Sequence, residues 1–304
     1  MMSAAVDSNK AVTASSSSRC ASCGIAEDDD VKLRKCTACY LVKYCGIECQ
    51  KDHRKQHKRA CKKRAAELRD EILFKQPESS HLGDCPICML PMPLDMKKST
   101  LFECCSKAIC NGCSHANTMR ENEMRIKGTC PFCRESLPSS DEEGVKLRMK
   151  RIEANDPDAI RFEGVNQCSK GNYASAFDYF TMAAKLGDAQ AHYKLAGMYH
   201  EGQGVEMDKG KEIHHLEKAA IGGHPNARFN LGNYEWVHEN YERAVKHWII
   251  SAAQGDDSAM KNLMMAFKQG AVGKEDLDAA LRAHQAAIQA TKSPQREAAA
   301  AAGI

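Results

Sequence analysis

The chain has no long apolar run and only a small excess of positive charge. No uninterrupted apolar stretch approaches the roughly 20 residues that a membrane-spanning helix needs, so we expect no membrane segment. Residues 1–19 are rich in serine and alanine and lack the apolar core of a secretory signal, which favours an intracellular protein, cytoplasmic or nuclear. The net charge of +3 is too small to indicate a nucleic-acid or membrane partner by itself.

Cysteine, in contrast, is abundant, with 16 in 304 residues. Repeated Cys-x-x-Cys pairs in an intracellular chain are more often metal-binding than disulfide-bonded, although a disulfide scaffold is the alternative. Fifteen of the cysteines fall into two groups, within residues 20–61 and 85–133. With one histidine added to the first, each group has the eight ligands that two tetrahedral zinc ions require. We therefore expect four structural zinc ions. We also expect no small-molecule substrate.

The first group of candidate ligands lies within residues 20–61. Its members are Cys20, Cys23, Cys36, Cys39, Cys45, Cys49, His57 and Cys61. His57 and Cys61 are four residues apart, so on a helix they share one face and can bind one metal ion. The spacing, with the Tyr44-Cys45 and Glu48-Cys49-Gln50-Lys51 runs, resembles the MYND zinc finger across all eight ligand positions. That resemblance implies one site of Cys20, Cys23, Cys45 and Cys49 and another of Cys36, Cys39, His57 and Cys61. His53 falls outside the pattern, and we expect it to be solvated or to support a ligand.

The second group is made of cysteine alone. Its members are Cys85, Cys88, Cys104, Cys105, Cys110, Cys113, Cys130 and Cys133. It resembles a RING finger of the subtype with eight cysteine ligands. In the usual RING the fourth ligand would fall on Lys107, which cannot bind zinc as an ammonium, whereas the eight-cysteine subtype uses Cys105. Cys104 is then the third ligand, and its direct adjacency to the fourth departs from the family pattern. The resemblance implies interleaved sites: Cys85, Cys88, Cys110 and Cys113 in one, and Cys104, Cys105, Cys130 and Cys133 in the other.

The RING resemblance also implies a recruiting surface. RING ligases bind a ubiquitin-conjugating enzyme through an apolar residue in the first zinc loop, a helix, and a proline in the last loop. Ile87 and Pro131 match these places. Arg134 follows the last ligand, where many RING ligases carry a cation that bridges the conjugating enzyme and ubiquitin. The alternative is that Ile87 packs within its loop and Arg134 is an ordinary surface charge. Residues 114–127 are predicted to form the helix, with two side chains, Met119 and Ile126, facing inward.

The segment around His57 is strongly basic. Its cations are Lys51, Arg54, Lys55, Lys58, Arg59, Lys62, Lys63 and Arg64. A solvated helix face is the ordinary interpretation, and a nuclear-import signal or an acidic partner are the sharper ones. Aromatic side chains for base stacking are not interleaved with these cations, so we expect no specific nucleic-acid binding. The helix is predicted to continue as a linker through residues 62–80.

From about residue 156 the sequence repeats itself. Ala191, Ala227 and Ala259 each begin a pattern of residues spaced by four, at intervals of 36 and 32 residues. Periods of this size with two helices each predict an α-solenoid. The run Glu201-Gly202-Gln203-Gly204-Val205 resembles the glycine turn of SEL-like repeats, which are relatives of tetratricopeptide repeats. Four units fit, at about 157–188, 189–224, 225–256 and 257–290. In the first, Glu163 stands where leucine is expected, which an end cap facing solvent would tolerate.

The predicted architecture is two small zinc-stabilised modules, MYND and RING cross-brace, followed by an all-α solenoid of helix-turn-helix repeats. Its parts are a disordered N-terminus 1–19, the MYND-type finger 20–61, a helical linker 62–80, the RING-type finger 81–138, a linker 139–155, the repeats 156–290 and a disordered tail 291–304. The solenoid histidines have no cysteine or carboxylate partners at a fixed spacing, so we expect solvated surface there. Cys168 lies outside both groups and has no visible base, so we do not expect a catalytic thiol.

Two functions fit this organisation. The first is a RING-type ubiquitin ligase without a covalent intermediate, in which the repeats or the MYND finger hold the substrate. The alternative is a non-catalytic zinc-finger adaptor or scaffold. The partners are proteins in both cases, and the MYND resemblance implies short proline-containing peptides. The surface around Ile87, Pro131 and Arg134 distinguishes the two functions.

Overall fold

The computed structural model describes residues 19–304, so the predicted disordered N-terminus lies outside the described residues except for its last one. The chain divides into two compact units, residues 1–72 and 73–304. Within residues 19–304, no helix has both the length and the apolarity that crossing a membrane requires.

The first unit has a very small core. Strands β1 (Arg34–Lys35) and β2 (Lys43–Tyr44) pair antiparallel, and helix α1 (Ile47–Leu73) follows. The buried core consists of Cys20, Cys36 and Cys39 with only Leu33 and Tyr44 added. So little apolar burial cannot offset the entropy of ordering the chain, so the fold of this unit depends on what binds its cysteines. Helix α1 has no break at residue 61 and continues to Leu73, so most of the predicted linker is helical.

The second unit begins with the cysteine-rich module. Strands β3 (Ser99–Phe102) and β4 (Lys107–Cys110) form a hairpin, and helix α2 (Asn111–Met124) starts directly after it. Helix α2 therefore starts three residues before the predicted helix. Met119 and Ile126 are 48% and 47% exposed, so their predicted inward orientation is wrong. Phe102, Ile109 and the cysteines form the core instead, and neither Met119 nor Ile126 belongs to it.

Helices make up the rest of the unit. They are α3 (Asp141–Glu153), α4 (Pro157–Ser169), α5 (Tyr173–Lys185), α6 (Ala189–Glu201), α7 (Lys209–Ile221), α8 (Pro225–Val237), α9 (Tyr241–Ala252), α10 (Asp257–Lys268), α11 (Lys274–Ala290) and α12 (Pro294–Ala301). From α4 to α11 each helix packs on its neighbour in the chain. The repeated alanines Ala191, Ala227 and Ala259 are fully buried, because only a small residue lets the paired helices approach closely. The predicted helical repeats are confirmed.

The first repeat differs from its prediction at Glu163, which is buried rather than facing solvent. Its Oε2 accepts from Nε of Arg148 at 2.8 Å, and Arg148 also forms an ion pair with Glu103 of the cysteine-rich module. Arg148 lies on α3, which covers the end of the solenoid. The carboxylate at the leucine position is therefore paired with a buried cation.

The predicted disordered tail is also wrong for residues 294–301. They form α12, which packs against α2 of the cysteine-rich module. Ala299 on this helix is 1% exposed. An alanine-rich helix this short is marginal alone in water, so its packing on α2 stabilises it.

The cysteine-rich module also contacts the middle of the solenoid. The rings of His81 and His224 stack with 4.1 Å between centroids. Their Nε2 atoms lie 3.0 and 2.7 Å from Oε1 of Gln190, and an amide oxygen accepts, so both histidines donate from Nε2. Burial lowers the pKa of His81 to about 4 and that of His224 to about 2, so both rings are neutral at pH 7. The expectation that the solenoid histidines are solvated is wrong for His224 and for His247, which is fully buried.

Candidate metal centres

Four Cys-x-x-Cys turns share one backbone geometry. In each, the residue after the second cysteine has a positive φ, and its N–H donates to the carbonyl of the first cysteine at 2.9–3.0 Å. These residues are Gly24, Tyr40, Met89 and Arg134. A left-handed backbone costs a non-glycine residue about 1–2 kcal/mol, and it persists only where the surrounding structure imposes it. The same turn occurs in both units, so both units present paired cysteines in the same way.

The sulfur positions fit zinc. With Zn–S bonds of about 2.3 Å, tetrahedral geometry places two thiolate sulfurs about 3.8 Å apart. The Sγ–Sγ distances are 3.6 Å for Cys23–Cys45, 3.8 Å for Cys88–Cys110 and 3.8 Å for Cys105–Cys130. A disulfide would require about 2.05 Å, so the disulfide alternative does not fit these pairs.

Within the described residues, the ligand atoms form four clusters in which all atoms lie within 4.8 Å of one another. The first unit contains Cys20, Cys23, Cys45 and Cys49 in one cluster, and Cys36, Cys39, His57 and Cys61 in the other. These are the two sets that the MYND resemblance implied. Residues 19–304 therefore contain four candidate zinc sites, with two in each unit.

The surroundings of Cys20 and His57 favour the ionisation states that zinc requires, whereas hydrogen bonds from the thiols of Cys49, Cys23 and Cys20 raise the pKa of Cys45 to about 12 while zinc is absent. Burial raises the pKa of the Cys20 thiol, but hydrogen bonds from the backbone of Cys23, Cys45 and Ser22 outweigh it and lower the pKa to about 6. Burial also lowers the pKa of His57, and the neighbouring His53 lowers it further. A thiolate and a neutral imidazole are the forms that bind a metal.

His57 and His53 have different surroundings. Nε2 of His57 lies 3.2 Å from Sγ of Cys39, inside its cluster. The ring of His53 stacks on that of His57 with 5.6 Å between centroids, and its Nδ1 lies 3.1 Å from the Tyr44 hydroxyl. His53 therefore supports the orientation of His57 from outside the cluster, which agrees with the supporting role expected for it.

We expect His57→Ala to lose at least the zinc of its own cluster and to destabilise the first unit, because three cysteines cannot complete the tetrahedral site. His53→Ala should retain the metal and lose about 1 kcal/mol of stability with its hydrogen bond to Tyr44. Metal content per chain and thermal unfolding would measure both effects. Equal zinc loss in the two variants would contradict the assignment of the ligand.

The second unit brings the remaining eight cysteines together. One cluster is Cys85, Cys88, Cys110 and Cys113, and the other is Cys104, Cys105, Cys130 and Cys133. The interleaving is the one implied by the RING resemblance. Sγ of Cys104 lies 3.4 Å from Sγ of Cys133, so the adjacent cysteines both reach one cluster. They do so because they occupy the hairpin turn between β3 and β4, where Ser106 has a φ of 54°. Hydrogen bonds from the backbone of Cys88, Cys110 and Ile87 outweigh the effect of burial and lower the pKa of Cys85 to about 7.

The three proposed recruiting residues are not equally accessible. Ile87 is 42% exposed, and Arg134 is exposed with its Nη1 donating to Oδ1 of Asn117 on α2 at 3.1 Å. Pro131 is buried, and the next residue, Phe132, is 44% exposed. The bond to Asn117 holds the guanidinium of Arg134 beside α2.

Sequence reasoning missed the residues that join the cysteine-rich module to the helices. These are Glu103, Arg148, His81, Gln190 and Arg296. Buried Arg228 was also missed, and it donates to the carbonyls of Leu73 and Lys75. Glu163 was the one available signal, because a carboxylate at a core position requires a cation.

Cys168 is half-buried within the first repeat. Burial raises its pKa, so it is the reverse of an activated thiol. Among the half-buried solenoid histidines, Nδ1 of His192 lies 2.9 Å from Nδ1 of His215. No third ligand joins this pair in any cluster of the described residues.

Comparison with known families agrees with the geometry in two regions. Residues 20–61 match the MYND finger model. Residues 160–188, 189–224 and 225–256 match the Sel1 repeat model. The chain contains a MYND finger followed by Sel1 repeats. The cysteine clusters suggest zinc binding, and the two families together support a zinc-binding protein that interacts with other proteins.

The related proteins match only parts of the chain. "DAP3-binding cell death enhancer 1" of Mus musculus is 23% identical over 196 residues, which cover 51% of this chain and 38% of the mouse protein. "Chitin synthase regulatory factor 4" of Schizosaccharomyces pombe (strain 972 / ATCC 24843) is 29% identical over 92 residues, or 30% of this chain and 14% of the yeast protein. The chain thus spans well under half the length of these relatives.

Two solved structures resemble the chain distantly. One is a Sel1 repeat protein from Oxalobacter formigenes, with a TM-score of 0.44 and 23% identity, covering 58% of this chain and 71% of that one. The other is a protective antigen of uropathogenic Escherichia coli with an SLR fold, with a TM-score of 0.41 and 20% identity, covering 53% of this chain and 36% of that one.

Proposed function

We propose that this protein is a RING-type ubiquitin ligase whose second cysteine-rich module recruits a ubiquitin-conjugating enzyme. The interleaving of its cysteine pairs carries the proposal: the first pair clusters with the third, and the second with the fourth. A cross-brace of this kind is what the RING resemblance implies. The MYND finger and the Sel1 repeats then supply binding sites for the substrate.

The surface around Ile87 supports recruitment. Ile87 in the first zinc loop is 42% exposed, so covering its side chain with a partner would remove apolar surface from water and favour binding. Phe132 in the last zinc loop is 44% exposed and adds further apolar surface. Arg134 is held at α2 by Asn117, so it can present a fixed cation to the enzyme and its ubiquitin. Pro131 is buried, so in this proposal it shapes the last loop and leaves the contact to its neighbours.

The protein would accelerate transfer by holding the conjugating enzyme and the substrate close together. The module would hold the charged conjugating enzyme while the binding domains hold the substrate, which raises the effective concentration of the acceptor lysine. Ubiquitin would pass directly from the conjugating enzyme to the substrate. No thiol of this chain would form a thioester, and the raised pKa of Cys168 agrees with that.

The MYND finger offers a groove for the substrate. A cavity of about 450 Å³ beside its second cluster is lined by Tyr44, Gln50, Arg54 and His57, among others. Proline-containing peptides are the ligands that the MYND resemblance implies for this surface. The mouse relative, of which 38% is matched, is by its name a DAP3-binding protein, and a protein-binding role is also what we propose for this chain.

The test is an autoubiquitination assay of the full chain with a panel of conjugating enzymes. We expect Ile87→Ala to reduce enzyme binding and transfer about tenfold with zinc content unchanged, because truncation removes a central apolar contact. Ile221→Ala is a matched control, since Ile221 is 43% exposed on α7 and should leave transfer unchanged. Retained transfer in Ile87→Ala would overturn the proposed contact.

The same assay separates binding from activation. Arg134→Ala should slow ubiquitin discharge with enzyme binding largely kept, because its contact would bridge the two partners. Arg125→Ala is the control, because Arg125 is an exposed arginine of the same module with a similar φ of 53°. A thioester trapped on Cys168 would defeat the mechanism.

A non-catalytic adaptor is the second candidate, and one observation favours it. A cavity of about 730 Å³ has Pro86 and Phe132 of the cysteine-rich module on one side and Phe162 and Leu186 of the first repeat on the other. The repeats therefore stand close to both zinc loops and restrict the approach of an enzyme. Inactivity of the wild type with every conjugating enzyme would favour the adaptor. In either role we propose a cytoplasmic or nuclear protein.

A further inference from the structure

Helix α12 makes a specific contact with the cysteine-rich module. Ser293 caps its first turn by accepting from the N–H of Arg296 at 3.3 Å, and Pro294 occupies its first position. The helix packs on α2, where Ala299 is buried. The serine cap and the proline at the first position favour a helix that begins here. The buried Ala299 shows which face of that helix packs on α2.

Gly112 on α2 is the closest point of the contact. A Cβ added at Gly112 would lie 2.7 Å from the backbone nitrogen of Arg296, so only glycine allows α12 to approach this far. Gly112 lies between Cys110 and Cys113, two residues of one cluster. At about 100° per residue, Gly112 and Asn117 lie roughly 140° apart around α2. The C-terminal helix therefore covers the face of α2 away from Arg134, which Asn117 binds.

The guanidinium of Arg296 reaches the first zinc loop. Its Nη1 donates to the carbonyl of Pro91 at 2.8 Å, and its Nη2 donates to the carbonyl of Leu90 at 3.2 Å. Nη2 also lies 3.6 Å from Sγ of Cys88, within hydrogen-bond range for sulfur. A second bond from Nη1, to the carbonyl of Thr291 at 2.7 Å, ties the side chain to its own segment. One side chain thus connects the end of the chain to the loop that presents Cys85 and Cys88.

We propose that Arg296 is a positioning residue for the zinc site of Cys85, Cys88, Cys110 and Cys113, and that α12 is a structural part of that site. Four thiolates around one Zn²⁺ give a net charge of −2, which a guanidinium at a sulfur offsets. The bonds to Leu90 and Pro91 fix the loop that aims Cys88. The inference concerns metal retention and does not depend on ligase activity.

The test measures zinc release from the full zinc-loaded chain under a chelator. Outer partners of metal ligands typically contribute about 10–100-fold in affinity, so Arg296→Gln should release one zinc of four at least about tenfold faster. Alkylation with mass spectrometry during release should modify Cys85, Cys88, Cys110 and Cys113 first. Arg282→Gln on α11 is the control, because Arg282 is exposed and should leave all rates unchanged. Arg296→Lys keeps the positive charge but loses the two-nitrogen guanidinium that binds both carbonyls, so it should give an intermediate rate of zinc release.

Gly112→Ala provides an independent route, because its methyl group would displace α12 while leaving Arg296 intact. It should reproduce the faster release, and adding it to Arg296→Gln should change little, since both act on one contact. Unchanged release in Arg296→Gln, or equal acceleration of all four ions, would overturn the site-specific role. Full additivity of the two changes would show that Gly112 acts on the zinc site independently of Arg296 and would overturn the role of α12.

Discussion

Stripping zinc from the protein should unfold both cysteine-rich modules and leave the Sel1 repeats helical. The module cores consist largely of cysteine, with Leu33 and Tyr44 in the first and Met92, Phe102 and Ile109 in the second. Structural zinc supplies about 10–16 kcal/mol in small model fingers, which far exceeds what such cores provide. The repeats have separate cores of leucine, alanine, tryptophan and phenylalanine without any cluster cysteine.

Metal analysis of the purified chain should give four zinc ions, and circular dichroism should retain most of its helical signal after chelation. Hydrogen exchange should localise the loss of protection to residues 20–133 and to α12, which loses the surface of α2 on which it packs. Cys168→Ala is the control, because this cysteine lies outside all four clusters and should alter neither zinc content nor response to the chelator. Two zinc ions per chain, or collapse of the whole helical signal, would contradict the prediction.

Arg148→Met should destabilise the second unit by about 3–5 kcal/mol, because it leaves Glu163 buried without its cation. The side chains of Arg148 and Glu163 are only 7% and 8% exposed, so water cannot replace the lost partner. Glu103 loses its partner as well, although it is more exposed at 22%. Chemical denaturation of the full chain, followed on the helical signal, would measure the loss.

The double variant Arg148→Met with Glu163→Leu should recover most of that stability, because it replaces the buried pair with apolar groups and restores the leucine of the repeat pattern. A cost below about 1 kcal/mol for Arg148→Met alone would mean that the pair contributes little. Arg148→Lys is a further check, since it keeps the charge but loses the fork that serves both glutamates.

The stability that Glu163 contributes to the second unit should decrease at acidic pH. Burial raises the pKa of Glu163, but hydrogen bonds from Gln167 and Asn166 and the charge of Arg148 outweigh it and lower the pKa below its ordinary 4.5. The stabilisation by ionised Glu163 is therefore present above pH 4.5 and is lost as the pH falls through its lower folded pKa. The double variant should lose less stability than the wild type over that acidic range.

Local patterns in the sequence were enough to predict the candidate zinc ligands and the repeats. A Cys-x-x-Cys turn sets the direction of both thiols within a few residues, and the helical spacing of His57 and Cys61 does the same for one more pair. The repeating alanines mark the helix crossings because each crossing admits only a small side chain. In each case the information lies within one element or one repeat.

Only the tertiary structure decided which surfaces meet. The sequence predicted Glu163 as an exposed end-cap residue, but Arg148 of α3 pairs with it and buries it. The sequence predicted the tail as disordered, but α12 forms there because it packs on α2 at Gly112, which lies far earlier in the chain. His81 and His224 come from segments far apart in the chain, and they are buried because their rings stack on each other and both donate to Gln190. Periodicity defines which face of an element is apolar, but the partner of that face depends on the path of the whole chain.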